Sequence, residues 1–317
     1  MGLPSVLAGA VLGWALGSNG ASNCFAAAVS TRIVKYRTAV ILTAIFVIIG
    51  AYAEGAKGIF KIGDYAYSSG IDTSTKAFFV MLAAALTVTL MTVLHLPVST
   101  SQAVIGAIIG GALLGGKPDF TEGIKFFIAW FATPFGAIAI SFVLYKIFEK
   151  YVEKSISNYE IYDKVIIIGY YISGIFAAYS LGGNNVANVT GIYVGKLDIL
   201  SVKAAVIIGG ITIATGVLTY SKGVMKTVGE SLVTLSPVSG LISVFTSAIV
   251  VFIYAKIGIP VSASQAIVGA VIGIGLVKGV NTISFKTIRN IVFAWFGTPT
   301  IAGIISLFLF KIFVLNS

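Results

Sequence analysis

One hexapeptide pattern occurs twice, and it constrains the fold more than any other feature of the chain. Pro97-Val98-Ser99-Thr100-Ser101-Gln102 opens the run PVSTSQAVIGAIIGGALLGG, residues 97–116, and Pro260-Val261-Ser262-Ala263-Ser264-Gln265 opens PVSASQAIVGAVIGIGLVKG, residues 260–279. In each copy a proline, hydroxyls and an amide stand at the mouth of an apolar, Gly/Ala-rich helical pattern. Proline is tolerated in a first helical turn because its missing N–H is not needed there, and Ser or Thr side chains cap the free backbone donors. Those donors and the positive end of the helix dipole make such a terminus attractive to anions.

The duplication extends over almost the whole chain. Trp130-Phe131-Ala132-Thr133-Pro134 pairs with Trp295-Phe296-Gly297-Thr298-Pro299, and Asn19 and Asn23 pair with Asn184 and Asn188. The offset is 165 residues for the asparagine and tryptophan motifs and 163 for the hexapeptides. Two repeats follow, 1–148 and 164–317, joined by a polar linker at 149–163 that is too short to be a domain.

Composition places these repeats in a membrane. The chain is 57% hydrophobic and 10% charged over 317 residues, with a mean hydropathy of +1.01, where a soluble domain carries about 25% charged residues. Apolar runs fall near 3–30, 38–56, 77–96, 98–116, 123–148, 164–195, 200–220, 236–256, 261–278 and 286–313, marked at roughly the 20 residues that a span requires, with the first and sixth longer than one crossing. The expected fold is therefore all-α and polytopic, about ten apolar helical segments in two repeats with broken or re-entrant helices. Five runs per repeat is odd, which turns the second repeat upside down relative to the first. The first run begins at once and belongs to the repeat, so it reads as a retained span rather than a signal peptide.

The formal charge of +10 does not indicate nucleic acid, because the basic residues sit singly or in small groups between apolar runs, with no basic stripe. Placing the first loop in the cytoplasm, along with the 149–163 linker, puts 12 of the 21 basic residues inside, with both termini outside. That distribution follows the positive-inside rule only weakly. A single cysteine, Cys24, excludes an intramolecular disulfide and a cysteine-cluster metal site. No P-loop is present.

Two constellations carry chemistry. Ser99, Thr100, Ser101 and Gln102, with Ser262, Ser264 and Gln265, are positioned to surround one anion from two opposed helix openings. A bare anion loses tens of kcal/mol on leaving water, and each hydrogen bond to a charged group returns about 1.5–3 kcal/mol, so a set of roughly this size is needed. Helix packing explains the glycines and serines equally well, but not two glutamines at equal positions. Asn19 and Asn23, like Asn184 and Asn188, are spaced i, i+4 beside Gly17-Ser18-Asn19-Gly20 and Gly182-Gly183-Asn184-Asn185, where a helix break is expected. Their carbonyl oxygens suit a small cation such as Na⁺; satisfying a broken backbone is the alternative. Thr133-Pro134 and Thr298-Pro299 read as helix kinks. His95, four residues before Ser99, has Gly258 as its counterpart, so a Ser-His enzyme is not expected. Trp14 reads as packing or interface anchoring, and Glu54 with Lys57 as a solvated pair at the membrane surface.

These residues resemble those of the PiT inorganic phosphate transporter family across nearly the full length: the paired PVSTSQ and PVSASQ, the two Asn-x-x-x-Asn motifs and the Trp-x-x-Thr-Pro spans. The resemblance implies symport of inorganic phosphate with Na⁺ or H⁺, no other cofactor, residence in the cell membrane and a homodimer. It also implies anion contact by the hexapeptide residues and cation contact by the four asparagines. One departure matters. The family pattern Gly-Ala-Asn-Asp has Gly20 and Asn185 here in place of its aspartates, which removes an acceptor for the proton that phosphate carries. A sulfate permease of the same family is therefore the first alternative, and an anion channel the second.

Overall fold

The computed structural model describes residues 2–96, 98–233, 236–279 and 285–315, so Pro97, which opens the first hexapeptide, lies outside the described residues. Helices run in the order α1 (Gly2–Gly20), α2 (Ser22–Ser30), α3 (Tyr36–Glu54), α4 (Ala56–Ser68), α5 (Ser74–Val93), α6 (Thr100–Gly115) and α7 (Phe120–Phe148). The second half continues with α8 (Tyr159–Thr190), α9 (Val202–Tyr220), α10 (Lys222–Val233), α11 (Pro237–Ile257), α12 (Ala263–Lys278) and α13 (Phe285–Phe313). No strand occurs among the described residues. Among the described residues seven segments are long and apolar enough to cross a bilayer, and the chain is a multi-pass membrane protein.

The single helix α8 takes the place of α1 and α2, and from α3 and α9 onward the halves match helix by helix. α3 and α9 have 19 residues each, α6 and α12 have 16, and α7 and α13 have 29 with a proline inside, so the repeat read from short motifs governs whole elements. The halves do not fold separately beside each other. α6 packs on α13 and α12 on α7, while α1 packs on α9 and α3 on α8, so each repeat finds its neighbours in the other. Glycine permits this. A β-carbon at Gly106 would overlap the backbone of Pro299, and one at Gly269 the backbone of Pro134. Close backbone approach replaces the hydrophobic drive that helices lack in lipid. The opposite faces are apolar and outward: Phe131 is 72% and Phe296 71% exposed, which assigns both to lipid.

α5 with α6, and α11 with α12, form hairpins whose far ends are tied. Lys76 in the first turn of α5 donates to the Gly115 carbonyl at the end of α6, at 2.8 Å. Lys278 at the end of α12 donates to Ser236 and Ser239 at the start of α11, at 3.0 and 2.8 Å. Each hairpin therefore returns to the side it came from and carries its hexapeptide at the tip. The tips turn alike: His95 after α5 has φ 56°, and Gly258 after α11 has φ 83°. The alignment of His95 with Gly258 thus marks a shared left-handed turn. Glycine enters that region freely and histidine at some cost.

Three expectations need correction. The second of the two expected breaks, at Gly182-Gly183-Asn184-Asn185, is absent, because α8 runs unbroken to Thr190. Its glycines serve approach instead, a β-carbon at Gly182 overlapping the Val47 carbonyl of α3. The first run is interrupted only at Ala21. Second, the hydropathy runs leave 57–76 and 221–235 empty, where the short helices α4 and α10 stand; one face of α4 buries Ile59 and Ile62 while Lys57 and Lys61 stay outside it. Third, Glu54 does not pair with Lys57 at the surface but with Lys256 of the other repeat, at 2.7 Å. The connection between the halves is also ordered: a π-helical turn, Glu149–Glu153, prolongs α7, and the Asn158 side chain caps α8 by accepting from Glu160 and Ile161 N–H.

Gly269→Ala places a methyl group against a backbone carbonyl that cannot retreat, so it should lower stability by about 1–3 kcal/mol. Gly136→Ala, also in a helix but with nothing within 4 Å of the new carbon, should be neutral or stabilise by up to about 1 kcal/mol. Thermal unfolding of the two variants in detergent checks the contrast.

Candidate functional site

Both hexapeptides start their helices in the same way. Ser99 is the N-cap of α6 with φ −93° and ψ 104°, and its hydroxyl accepts from Gln102 N–H at 3.4 Å. Ser262 is the N-cap of α12 with φ −92° and ψ 113°, and its hydroxyl accepts from Gln265 N–H at 3.3 Å. The segment before each cap is held by an asparagine from the first helix of its own repeat. Asn19 Nδ2 donates to the Leu96 carbonyl at 2.8 Å while its Oδ1 accepts from Val98 N–H at 3.2 Å. Asn184 Nδ2 donates to the Ile259 carbonyl at 3.2 Å while its Oδ1 accepts from Val261 N–H at 3.0 Å. One carboxamide thereby satisfies a carbonyl and an N–H two residues apart, as a neighbouring strand would. At the second turn the Trp130 indole N–H also donates to the Pro260 carbonyl at 3.1 Å; the counterpart of Pro260 is Pro97, outside the described residues.

The two turns line one cleft of about 300 Å³. Its polar wall is Asn19, Asn23, Ser99, Thr100, Asn185, Ser262 and Ser264, and no lining residue carries a charge. The repeats touch here, since Ser264 Oγ lies 3.5 Å from Asn23 Oδ1 and donates to it. A second cavity of about 210 Å³ continues past Asn23 toward Cys24 and Ser247.

Six of the predicted residues thus meet at the cleft: Ser99, Thr100, Ser262, Ser264, Asn19 and Asn23. The other five stand behind it. Ser101 Oγ lies 3.3 Å from Ser99 Oγ. Gln102 and Gln265 are 3% and 2% exposed, and the Oε1 atom of each is buried without a partner. Asn184 holds the second turn, and Asn188 donates to Asn185 Oδ1 at 3.1 Å while its own Oδ1 is buried and unpartnered. Thr133 Oγ1 donates to the Ala129 carbonyl four residues back, at 2.7 Å, and stands outside the cleft wall, in keeping with a packing role. Trp14 packs on Tyr220 and donates to Thr219 Oγ1 at 2.9 Å. Trp130 was missed as a support for the second turn, although its recurrence as Trp295 was a signal that the position is constrained.

The sequence model of the phosphate transporter family matches residues 16–168 and again 153–306. The chain belongs to the phosphate transporter family. It is 31% identical over 292 residues to a candidate phosphate permease of Methanocaldococcus jannaschii, covering 92% of this chain and 90% of that protein. It is also 28% identical over 317 residues to a sulfate permease of Bacillus subtilis, covering 99% and 88%. A solved structure of a sodium-dependent phosphate transporter superposes with a TM-score of 0.89 at 20% identity, covering 99% of both chains. That likeness shows a common fold, in which the same arrangement of inverted repeats is expected.

Asn184→Ala removes both bonds to the second turn and leaves the buried Val261 N–H unpaired, a loss of about 1–3 kcal/mol. The expected result is a lower melting temperature in detergent than for Thr300→Ala, an exposed hydroxyl on α13 that bonds only its own helix.

Proposed function

We propose that this member of the phosphate transporter family is a secondary transporter carrying inorganic phosphate across the cell membrane in symport with Na⁺ or H⁺. The observation that carries the reading is the pair of serine-capped helix N-termini, one from each repeat, lining a single uncharged cleft. Hydroxyls, amides and helix dipoles replace the hydration of a small oxyanion without trapping it as a fixed positive charge would. Inverted repeats around such a site suit alternating access, one bundle rocking against the other to expose the cleft to each side in turn.

Na⁺ is the better coupling ion on this geometry. No titratable side chain lines the cleft to carry a proton, whereas buried carbonyl oxygens without donors stand near it at Asn188, Gln102 and Gln265. An orphaned carbonyl accepts, so it fits a cation and not an anion. Asn19 Oδ1 and Asn184 Oδ1 each keep one lone pair beyond the bond from the turn. On this reading the glutamines serve the cation and the serines the anion, and the charge of each ion offsets the other in the cleft.

A second reading, sulfate transport, is favoured by one observation. Asn185, an uncharged amide, faces the cleft, so no carboxylate is present to accept a proton from phosphate and repel fully ionised sulfate. The sulfate permease relative is consistent with this.

Uptake of labelled phosphate into proteoliposomes, with and without imposed Na⁺ and pH gradients and with unlabelled sulfate as competitor, tests both readings. Gradient-driven accumulation is expected, and passive equilibration alone would indicate a channel. Ser262→Ala should reduce uptake about tenfold or more, the value of one hydrogen bond to a charged group. Gln265→Ala should shift the Na⁺ dependence instead. Asn185→Asp should weaken sulfate competition relative to phosphate; unchanged competition would reject the carboxylate reasoning.

A further inference from the structure

The repeats agree in helix lengths but differ in what holds the two hairpin tips. At the second tip, Lys256 in the last turn of α11 pairs with Glu54 at the end of α3, Nζ to Oε1 at 2.7 Å. The same oxygen accepts from the Tyr179 hydroxyl of α8 at 2.8 Å. Lys57 at the start of α4 donates to the Lys256 carbonyl at 3.1 Å, and Lys256 Nζ stands 5.2 Å from the centre of the Phe252 ring. The Glu54 carboxylate is 12% exposed while Lys256 is half-exposed, so the pair is as shielded as Lys76–Asp72 and better shielded than Lys125–Glu122 and Lys154–Glu149, and it differs from all three in joining residues far apart in sequence. Shielding and a second hydrogen bond make it stronger than an ordinary surface pair.

The positions related by the repeat to the two members of the ion pair hold no charge. Val93 corresponds to Lys256, Tyr220 at the end of α9 to Glu54 at the end of α3, and Trp14 to Tyr179, whereas Lys57 has a lysine counterpart, Lys222. There Trp14 and Tyr220 pack with ring centres 5.5 Å apart, and Val93 is 50% exposed. Because the repeats are inverted, these two clusters face opposite sides of the bilayer. Lys256 is also three residues from Ile259, whose carbonyl receives Asn184, and six from the N-cap Ser262. Glu54 therefore fixes one end of a short segment whose other end is the cleft wall.

We propose that Glu54 and Lys256 are positioning residues for the second opening turn. From outside the cleft they set the placement of Ile259 to Ser264, and with it the affinity for the anion, while no equivalent ion pair stands behind the first turn among the described residues. The inference rests on the anion-transport reading for its effect on affinity, but the placement of the turn is a separate, physical claim.

The test uses the full chain in proteoliposomes. Glu54→Gln and Lys256→Met should each raise the KM for phosphate about fivefold, as expected for loss of a shielded pair, with the maximal rate within about twofold of the parent. Exchanging the charges, Glu54→Lys with Lys256→Glu, should bring KM back toward the parent value, as a pairwise coupling requires. Tyr220→Phe, at the repeat-related position, should leave KM unchanged. A second readout needs no transport: in a Cys24→Ser background, maleimide labelling of the Ile259→Cys variant should become several-fold faster when Glu54→Gln is added. Unaltered KM in both single variants, or a labelling rate indifferent to Glu54→Gln, would overturn the proposal. Parent vesicles that take up neither phosphate nor sulfate would reject the transport reading instead, and the labelling result would still decide the placement of the turn.

Discussion

Backbone laid directly on backbone between the two repeats is the contact from which the rest of the structure follows. α6 lies on α13 at Gly106 and Pro299, and α12 lies on α7 at Gly269 and Pro134. In lipid there is little hydrophobic gain from bringing two apolar helices together, so dispersion at close range must do it, and close range requires the missing side chain. The consequence is topological as well as energetic. Because each repeat supplies the other's neighbours, the two hexapeptides are brought to the same cleft, and neither repeat has a complete site by itself.

The cleft in turn depends on the asparagines. Short segments lead into the helix openings, and an unsupported carbonyl or N–H inside a membrane is expensive. Asn19 and Asn184 satisfy one of each on the segment they touch. A carboxylate at either place could accept but not donate, and a lysine could donate but not accept. The amide is thus fixed by the backbone it must match, and its neutrality leaves the site without a permanent charge. A neutral wall of dipoles and hydroxyls favours an anion arriving with a cation, since each relieves the cost of burying the other.

What the sequence revealed and what it concealed divide along the range of the interaction. The repeat, the helix openings and the membrane class were legible because capping residues, proline and hydropathy act within a few residues of themselves. Ser99 and Ser262 could be read as caps for that reason. The pairing of Glu54 with Lys256 could not, because those residues are 202 apart in sequence and spacing carries no record of a partner in the other repeat. Glycine was ambiguous in the same way: Gly182 and Gly183 look like a break to anyone counting propensity, yet they stay helical because α3 presses against them. α4 and α10 escaped notice because 13 and 12 residues of mixed polarity show neither a span nor a loop. Among the site residues, one turn of helix decided the outcome, placing Gln102 and Gln265 behind the serines that line the cleft.

Symmetry gives the departures between the repeats their meaning. If two inverted repeats were identical in sequence, exchanging their conformations would turn an outward-open molecule into an inward-open one of equal energy, and neither state would be preferred. Any preference must come from positions where the repeats differ. Most differences, such as Ala263 against Thr100 or Gly258 against His95, are small in charge and local in reach. Glu54 with Lys256 differs in kind, because it introduces an ion pair across the repeats on one side where, among the described residues, the other side has Trp14 packed on Tyr220 and hydrogen-bonded to Thr219. Breaking it exposes two charges that must each be rehydrated, while parting Trp14 from Tyr220 exposes only weakly polar surface. If the proposed alternating access holds, the side bearing the ion pair is therefore the costlier to open, and the unequal cost is set by residues outside the cleft.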